Sequence, residues 1–245
     1  MNECMKQAQL FLLHFAGGNR YSFSSMLQFL RDFEVVSLEL PGRGKRMGEP
    51  LLKNFELAAA DMYRQIAAQL TSPRFVLYGH SMGALLCYLL AKRIAQEKLN
   101  APLHLFLTGK GAPSILFNRK IRHLMPQDEL VADLQQMGGM PDIVLKDHKL
   151  LDLFLPIIRA DFQAVESFRY EEPARLDLPL TVITGSEESI ADEKIKPWQL
   201  ETFATVTFRK LPGGHFFIFN YGREILEMIT HALYTYALKD ENGTI

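Results

Sequence analysis

Gly79-His80-Ser81-Met82-Gly83 is the segment most informative about the fold of this chain. It lies between an apolar run typical of a buried strand, Phe75 to Tyr78, and a helical pattern from Ala84 to Ile94. A serine in this strand–turn–helix setting occupies a sharp turn, where a side chain two positions before or after it would collide with neighbouring backbone. Glycine at 79 and 83 removes those collisions. The pentapeptide therefore predicts a serine nucleophile at the end of a strand.

The rest of the chain alternates strand-like and helix-like segments around this turn. Strands are expected at 8–15, 34–40, 75–78, 103–108, 180–184 and 206–211, and helices at 23–31, 55–70, 84–94 and 216–237. This order predicts a mostly parallel sheet with right-handed crossover helices on both faces. Together with the serine turn it predicts the α/β-hydrolase fold.

Residues 112–175 interrupt the alternation and show two or three helical patterns without a convincing strand. We expect this segment, here called the insertion, to form a helical lid on a single-domain core made of residues 1–111 and 176–245. Its stretch 147–168 is apolar on more than one helical face, which predicts contact with the core on one side and with a ligand on the other. Gly138-Gly139 and Pro156 are candidate bends. An ordinary helical subdomain is the alternative.

The composition excludes several classes of protein. The 245 residues are 48% apolar and 22% charged with a net charge of −1, which is typical of a globular protein and predicts neither a nucleic-acid nor a membrane partner. The absence of a signal peptide or a long apolar run predicts a cytoplasmic protein. Cys4 and Cys87 lack metal-site spacing, as do the histidines, so neither a metal nor a cofactor is expected, and Cys87 is predicted to lie in the core.

A serine hydroxyl needs a base to remove its proton, and His215 fits that role. It follows the last strand and Gly213-Gly214, and it precedes the last helix, which is the order expected for a late-chain base. His80, next to the serine, is expected to shape the pocket or the turn. His14 is expected near the site, and the sequence does not distinguish a structural role from a functional one for it.

The acid that would orient His215 has several candidates in the loop after the strand at 180–184. Aspartate and glutamate can both accept a hydrogen bond from the second N–H group of the imidazole. Glu188, three residues after Gly185, is the first choice, and Glu187 and Asp192 remain alternatives.

Acyl transfer also needs two N–H groups directed at the developing oxyanion. We predict that these are the backbone N–H groups of Met82 and of Ala16, which lies in the loop His14-Phe15-Ala16-Gly17-Gly18. Gly17 and Gly18 would allow the backbone to approach the substrate closely. The stretch 41–46 lacks a phosphate-loop pattern and is interpreted as an exposed basic turn, with docking of an acidic partner as an option.

With these pieces in place, the chain resembles the type II thioesterases, the stand-alone editing enzymes of nonribosomal peptide and polyketide synthesis, which are related to medium-chain fatty-acyl thioesterases. The resemblance runs almost end to end. It is carried by 15–18, 40–43, Arg46, 49–50, 79–83, 138–139, 159–161, Trp198 and 213–217. Two positions depart from the family pattern: His14 stands where proline is usual, and glutamates stand in the loop that usually holds an aspartate.

The resemblance implies hydrolysis of acyl groups held as thioesters on the phosphopantetheine arm of an acyl- or peptidyl-carrier protein, for editing or for release. It implies Ser81 as nucleophile, His215 as base, and Ala16 with Met82 as the oxyanion hole. Substrate contacts are expected from His80, Phe15, Gly17 and Phe216. We expect a monomer. A small-molecule esterase, an acyltransferase and a non-catalytic carrier-binding protein remain as alternatives, and neither the acyl chain length nor the carrier follows from the sequence.

Overall fold

A computed structural model describes residues 8–30, 33–97, 100–115, 120–140, 144, 147–171 and 175–241. The strands are β1 Gln9–Leu13, β2 Glu34–Ser37, β3 Phe75–His80, β4 His104–Thr108, β5 Leu180–Gly185 and β6 Val206–Leu211. They form one sheet in the order β2-β1-β3-β4-β5-β6, and every neighbouring pair is parallel. The predicted parallel sheet is thus confirmed, with β3 and its serine turn near its centre.

The helices are α1 Ser24–Leu27, α2 Phe55–Gln69, α3 Met82–Gln96, α4 Gln127–Met137, α5 His148–Ser167, α6 Asp192–Ile195 and α7 Gly222–Glu241. Helices α2 and α3 cover one face of the sheet, and α1 and α7 cover the other. In β1, Phe11 and Leu13 belong to the first core and Leu10 and Leu12 to the second. Such strands are apolar throughout because both faces are buried. Cys87 lies in the first core, as predicted.

Helix α1, strand β2 and the last helix differ from the predicted elements in ways that have a local cause. Helix α1 covers only four residues and its first turn has no side-chain cap; of the predicted helix 23–31, Arg31 lies outside the described residues. Strand β2 ends at Ser37, shortly before Pro41. The last helix begins at Gly222 because Phe217–Phe219 forms a separate 3-10 turn.

The insertion contains α4 and α5, and its described residues contain no strand. The predicted helix over 147–168 is confirmed. It starts where the Asp147 carboxylate accepts hydrogen bonds from the Lys149 and Leu150 N–H groups, and it continues through Pro156. Leucines and a phenylalanine of α5 pack on α4, whereas Ala164 joins the first core. Helix α5 therefore links α4 to the main body of the protein.

The stretch 41–46 is only in part the exposed basic turn that its composition predicts: Gly44 and Lys45 are exposed, whereas 41–43 are buried. Arg43 is 2% exposed and pairs with Asp161 of α5, and Arg46 pairs with Glu49 and Asp61. Two buried carboxylates, Asp161 and Asp61, need these cationic partners because an unpaired buried charge is very costly. Through these ion pairs the turn after β2 is bound to helices α2 and α5.

Candidate active site

Ser81 lies in a strained turn between β3 and α3. Its backbone angles are φ 55° and ψ −108°, and it is the one residue other than glycine with positive φ in the described part of the chain. A Cβ atom on Gly79 would lie 2.2 Å from the Gly83 carbonyl carbon, and one on Gly83 would lie 2.0 Å from the Leu13 oxygen. The steric reason predicted for both glycines is therefore confirmed.

Glu188 and His215 form a close pair beside Ser81. Glu188 Oε1 lies 2.6 Å from His215 Nδ1, and Glu188 Oε2 accepts a hydrogen bond of 2.6 Å from the Gly185 N–H group. The Glu188 side chain is only 2% exposed, so water competes little for these contacts. Glu187 is exposed, and Asp192 binds Lys210 Nζ at 3.0 Å. The structure thus brings Glu188, and neither alternative, to His215.

His215 and Ser81 face the same space without a direct hydrogen bond among the described residues. Catalytic hydrogen bonds often shorten only when substrate is bound, so this separation is compatible with the predicted roles.

His80 lies behind His215 and lines neither cavity at the site. Its ring centroid is 4.8 Å from that of His215 and 5.3 Å from that of Phe216. Thr108 Oγ1 lies 3.0 Å from His80 Nδ1, and burial, with the nearby His215, holds the pKa of His80 well below its usual range. The expected substrate contact is therefore wrong for His80: its fully buried ring is a neutral support under His215.

The two residues predicted to supply the oxyanion donors, Ala16 and Met82, line the same cavity as Ser81. Met82 is the first residue of α3, so its N–H group has no acceptor within the helix. Phe15 O accepts from the Gly18 N–H group at 2.9 Å and lies 2.8 Å from His14 Nδ1. Because C=O and N–H point in opposite directions across a trans peptide, holding Phe15 O turns the Ala16 N–H group the other way. In the described part of the chain, neither the Ala16 nor the Met82 N–H group has a hydrogen-bond acceptor.

His14 holds this peptide as a neutral ring. Burial and then the positive charge of Arg43 lower the pKa of His14 to about 4. The neutral ring donates from Nδ1 to Phe15 O and accepts at Nε2 from the Leu40 N–H group, 3.4 Å away. His14 thus links the end of β1 to the segment that follows β2.

Two cavities of different character meet at Ser81. The larger has a volume of ≈ 560 Å³ and the smaller ≈ 210 Å³, and they share Ala16, Ser81, Met137, Phe162 and His215. Charged side chains line the larger: Lys110, Lys120, Arg122, Asp133, Glu166, Glu187, Glu188 and Lys194. The smaller is mostly apolar and includes Phe15, Gly17, Leu134, Phe154, Ile158 and Phe216. Phe15, Gly17 and Phe216 therefore lie where substrate contacts were predicted.

Several residues that build the site are not among the predicted site residues, although Phe162 lies in the stretch 147–168, for which a ligand contact is predicted. Met137 and Phe162 line both cavities, and Arg43 and Asp161 bind the loop around Gly17. No local pattern marks the Arg43–Asp161 pair, because its members are far apart in the chain. No group of three or more His, Cys, Asp or Glu side chains among the described residues is arranged to hold a metal ion.

A parallel sheet with a serine at a strained strand–helix turn beside a Glu–His pair defines the class of α/β-hydrolase-fold hydrolases. A family model, the thioesterase domain, matches residues 8–233, and the chain belongs to that family. It is a thioester hydrolase. None of the helices in the described part of the chain is both long and apolar enough to span a membrane.

The chain is similar to proteins of natural-product biosynthesis and to a fatty acid synthase thioesterase. It is 31% identical to the gramicidin S biosynthesis protein GrsT of Aneurinibacillus migulanus, over 92% of this chain and 88% of GrsT. The medium-chain S-acyl fatty acid synthase thioesterase of Rattus norvegicus is 28% identical, over 86% of this chain and 81% of the rat enzyme. The structure of RedJ, a thioesterase of prodiginine biosynthesis in Streptomyces coelicolor, superposes with a TM-score of 0.85 at 29% identity, covering 92% of this chain and 85% of RedJ. The resemblance to type II thioesterases is confirmed.

Proposed function

We propose that this enzyme hydrolyses acyl groups from the phosphopantetheine arm of a carrier protein, for editing or release in nonribosomal peptide or polyketide synthesis. The observation that carries the proposal is the position of Ser81 at the junction of an apolar and a charged cavity. The pathway roles in the names of GrsT and RedJ support a carrier-bound substrate.

The two cavities suit the two ends of an acyl-pantetheine thioester. An aliphatic acyl chain gains about 0.8 kcal/mol for each methylene that it buries, and the smaller cavity offers the apolar wall for it. The pantetheine arm carries amide groups that need hydrogen-bond partners when they leave water, and the larger cavity offers polar side chains. The thioester carbon then lies over Ser81.

In the first step, Ser81 Oγ attacks the thioester carbon while His215 Nε2 takes the hydroxyl proton. The oxyanion accepts hydrogen bonds from the Ala16 and Met82 N–H groups. The C–S bond then breaks, the proton on His215 passes to the pantetheine sulfur, and an acyl-Ser81 ester remains. Glu188 stabilises the imidazolium that forms between these events.

In the second step, His215 removes a proton from a water molecule, which attacks the acyl-Ser81 carbonyl carbon. The same two N–H groups bind the second oxyanion. The ester C–O bond breaks, Ser81 Oγ recovers the proton from His215, and the free carboxylic acid leaves. In this scheme the insertion is a lid, because α4 and α5 supply Met137 and Phe162 to both cavities.

The test compares octanoyl groups on a phosphopantetheinylated carrier protein with octanoyl groups on a simple aryl ester. We expect a higher kcat/KM for the carrier thioester and a release of free acid that Ser81→Ala abolishes. Ser25→Ala, an exposed serine on α1, is the matched control and retains activity.

Four results would contradict this proposal. Wild-type hydrolysis by Ser81→Ala excludes the nucleophile. A preference for the aryl ester favours a small-molecule esterase, and transfer of the octanoyl group to an added amine or alcohol favours an acyltransferase. A wild-type chain that neither turns over substrate nor reacts with a fluorophosphonate at Ser81 favours a non-catalytic carrier-binding protein.

A further inference from the structure

Asp161 is a buried anion that the reaction scheme does not use. It lies on α5 and is 0% exposed. Its Oδ2 accepts hydrogen bonds from the Gly17 N–H group at 2.7 Å and from Arg43 Nη1 at 2.6 Å, and its Oδ1 accepts from Arg43 Nη2 at 2.7 Å. Three donors, two of them on one guanidinium, satisfy the carboxylate and set its direction.

Arg43 also binds the same loop directly. Its Nη1 also donates to Gly18 O at 3.1 Å. The pair therefore binds backbone groups of two neighbouring residues, the Gly17 N–H group and the Gly18 carbonyl, in the loop that contains Ala16. These contacts join three parts of the chain: the loop after β1, the turn after β2 and helix α5.

Helix α5 also packs directly on this loop. Ile158, one turn before Asp161, lies so close to Gly17 that a Cβ atom there would be 2.7 Å from Ile158 Cγ1. Gly17 has a φ of +77°, a conformation that other residues rarely adopt. The loop conformation thus depends on the position of α5.

We propose that Asp161 and Arg43 are positioning residues for the oxyanion hole, and that through them α5 sets the geometry of catalysis as well as covering the site. The inference rests on the proposed function of Ser81 and Ala16. Asp161 directs the Gly17 N–H group away from the cavity, and His14 and Gly18 hold Phe15 O, so the Ala16 N–H group is left to face the oxyanion.

A misplaced oxyanion donor weakens binding of the transition state more than binding of the substrate. Its loss therefore lowers kcat and leaves KM nearly unchanged, whereas a loss of pocket contacts raises KM. A purely structural role of the pair would lower the amount of folded enzyme and leave both constants of the folded fraction unchanged.

Asp161→Asn tests the inference because the amide keeps the shape of the carboxylate and removes its charge. With concentrations normalised by fluorophosphonate titration of Ser81, we expect kcat for octanoyl-pantetheine to fall about 10- to 100-fold. KM should stay within about twofold. An octyl boronic acid, which forms a tetrahedral adduct on Ser81 Oγ, should bind more weakly by the same factor as kcat.

Ser167→Ala is the matched control. Ser167 lies on the same helix, and its hydroxyl accepts a hydrogen bond of 3.0 Å from the Phe55 N–H group of α2, away from the loop. We expect wild-type kcat and boronate affinity in this variant. Arg43→Lys, which keeps the charge and loses the two-pronged contact, serves as a second variant and decides the matter where Asp161→Asn does not fold.

Wild-type kcat and boronate affinity in folded Asp161→Asn or Arg43→Lys would overturn the inference, as would a rise of KM alone. Failure of the proposed function looks different. In that case wild-type enzyme does not release acyl groups from the carrier, while the boronate still binds Ser81 more weakly in Asp161→Asn than in the wild type.

Discussion

Glu188 makes two contacts with different consequences. Its Oε2 atom accepts a hydrogen bond from the Gly185 N–H group, which fixes the orientation of the carboxylate. Its Oε1 atom contacts His215 Nδ1. The loop that presents Glu188 is tightly packed, since a Cβ atom on Gly185 would lie 2.4 Å from Gly213 O. The end of β5 and the loop before α7 therefore place acid and base together.

Replacing Glu188 by glutamine should lower kcat about 10³- to 10⁴-fold, as for the corresponding change in serine proteases. The amide removes the charge that stabilises the imidazolium, and an NH₂ group facing Nδ1 favours the wrong tautomer of His215. The measurement is kcat for octanoyl-pantetheine, with Ser81 content determined by fluorophosphonate labelling.

Glu187→Gln and Asp192→Asn are the controls for Glu188→Gln, and both should keep kcat near the wild-type value because neither carboxylate reaches His215. Glu188→Asp should retain more activity than the glutamine variant. A loss in Glu187→Gln as large as that in Glu188→Gln would assign the acid to the other position.

At the scale of elements, the end of α4 meets the loop that carries the candidate base. Gly138 and Gly139 both have left-handed backbone angles, with φ +76° and +86°. A Cβ atom on Gly139 would lie 2.2 Å from Phe216 Cε2, whereas one on Gly138 would lie 3.9 Å from Phe216 Cδ2. The two glycines share a positive φ and differ in their contact with Phe216.

Gly139→Ala should therefore reduce hydrolysis of long acyl chains far more than Gly138→Ala does. The positive φ strains an alanine at either position, but only the one at 139 displaces the Phe216 ring from the apolar cavity. The check is kcat/KM for acetyl- and octanoyl-pantetheine in both variants. Equal chain-length profiles in the two variants would exclude Phe216 as a wall of the acyl site.

The elements that sequence predicts well are those whose signal is local. The Ser81 turn needs glycines two residues away, and α5 shows the apolar pattern of a helix over its whole length. Arg43 is different, because basic side chains are usually exposed and its partner Asp161 lies on a helix far along the chain. Such a contact forms only when the whole fold is assembled.

The monomeric state stays a prediction.

Across the whole chain, three buried histidines are held in the neutral form, in which the ring carries a single proton. Burial lowers the pKa of His14 and of His104 to about 4, and it also holds the pKa of His80 well below its usual range. His104 lies away from the active site, where its ring stacks on Phe106 with centroids 4.4 Å apart and Nε2 lies 2.8 Å from Thr181 Oγ1. At His104 the effect of protonation on stability can therefore be measured separately from any effect on the active site.

Acidification should destabilise the fold through His104, and the sign follows from its lowered pKa. Between pH 6.5 and 4 the unfolded chain binds a proton that the folded ring rejects, so the free energy of unfolding falls as the pH decreases through this window. From pH 7.5 to 5.0 the contribution of His104 is about 2 kcal/mol. Urea unfolding at both values should show a smaller fall in His104→Gln than in wild type. His231→Gln, at an exposed position of α7, should match wild type, and an equal fall in all three proteins would mean that the His104 ring is protonated in the folded state.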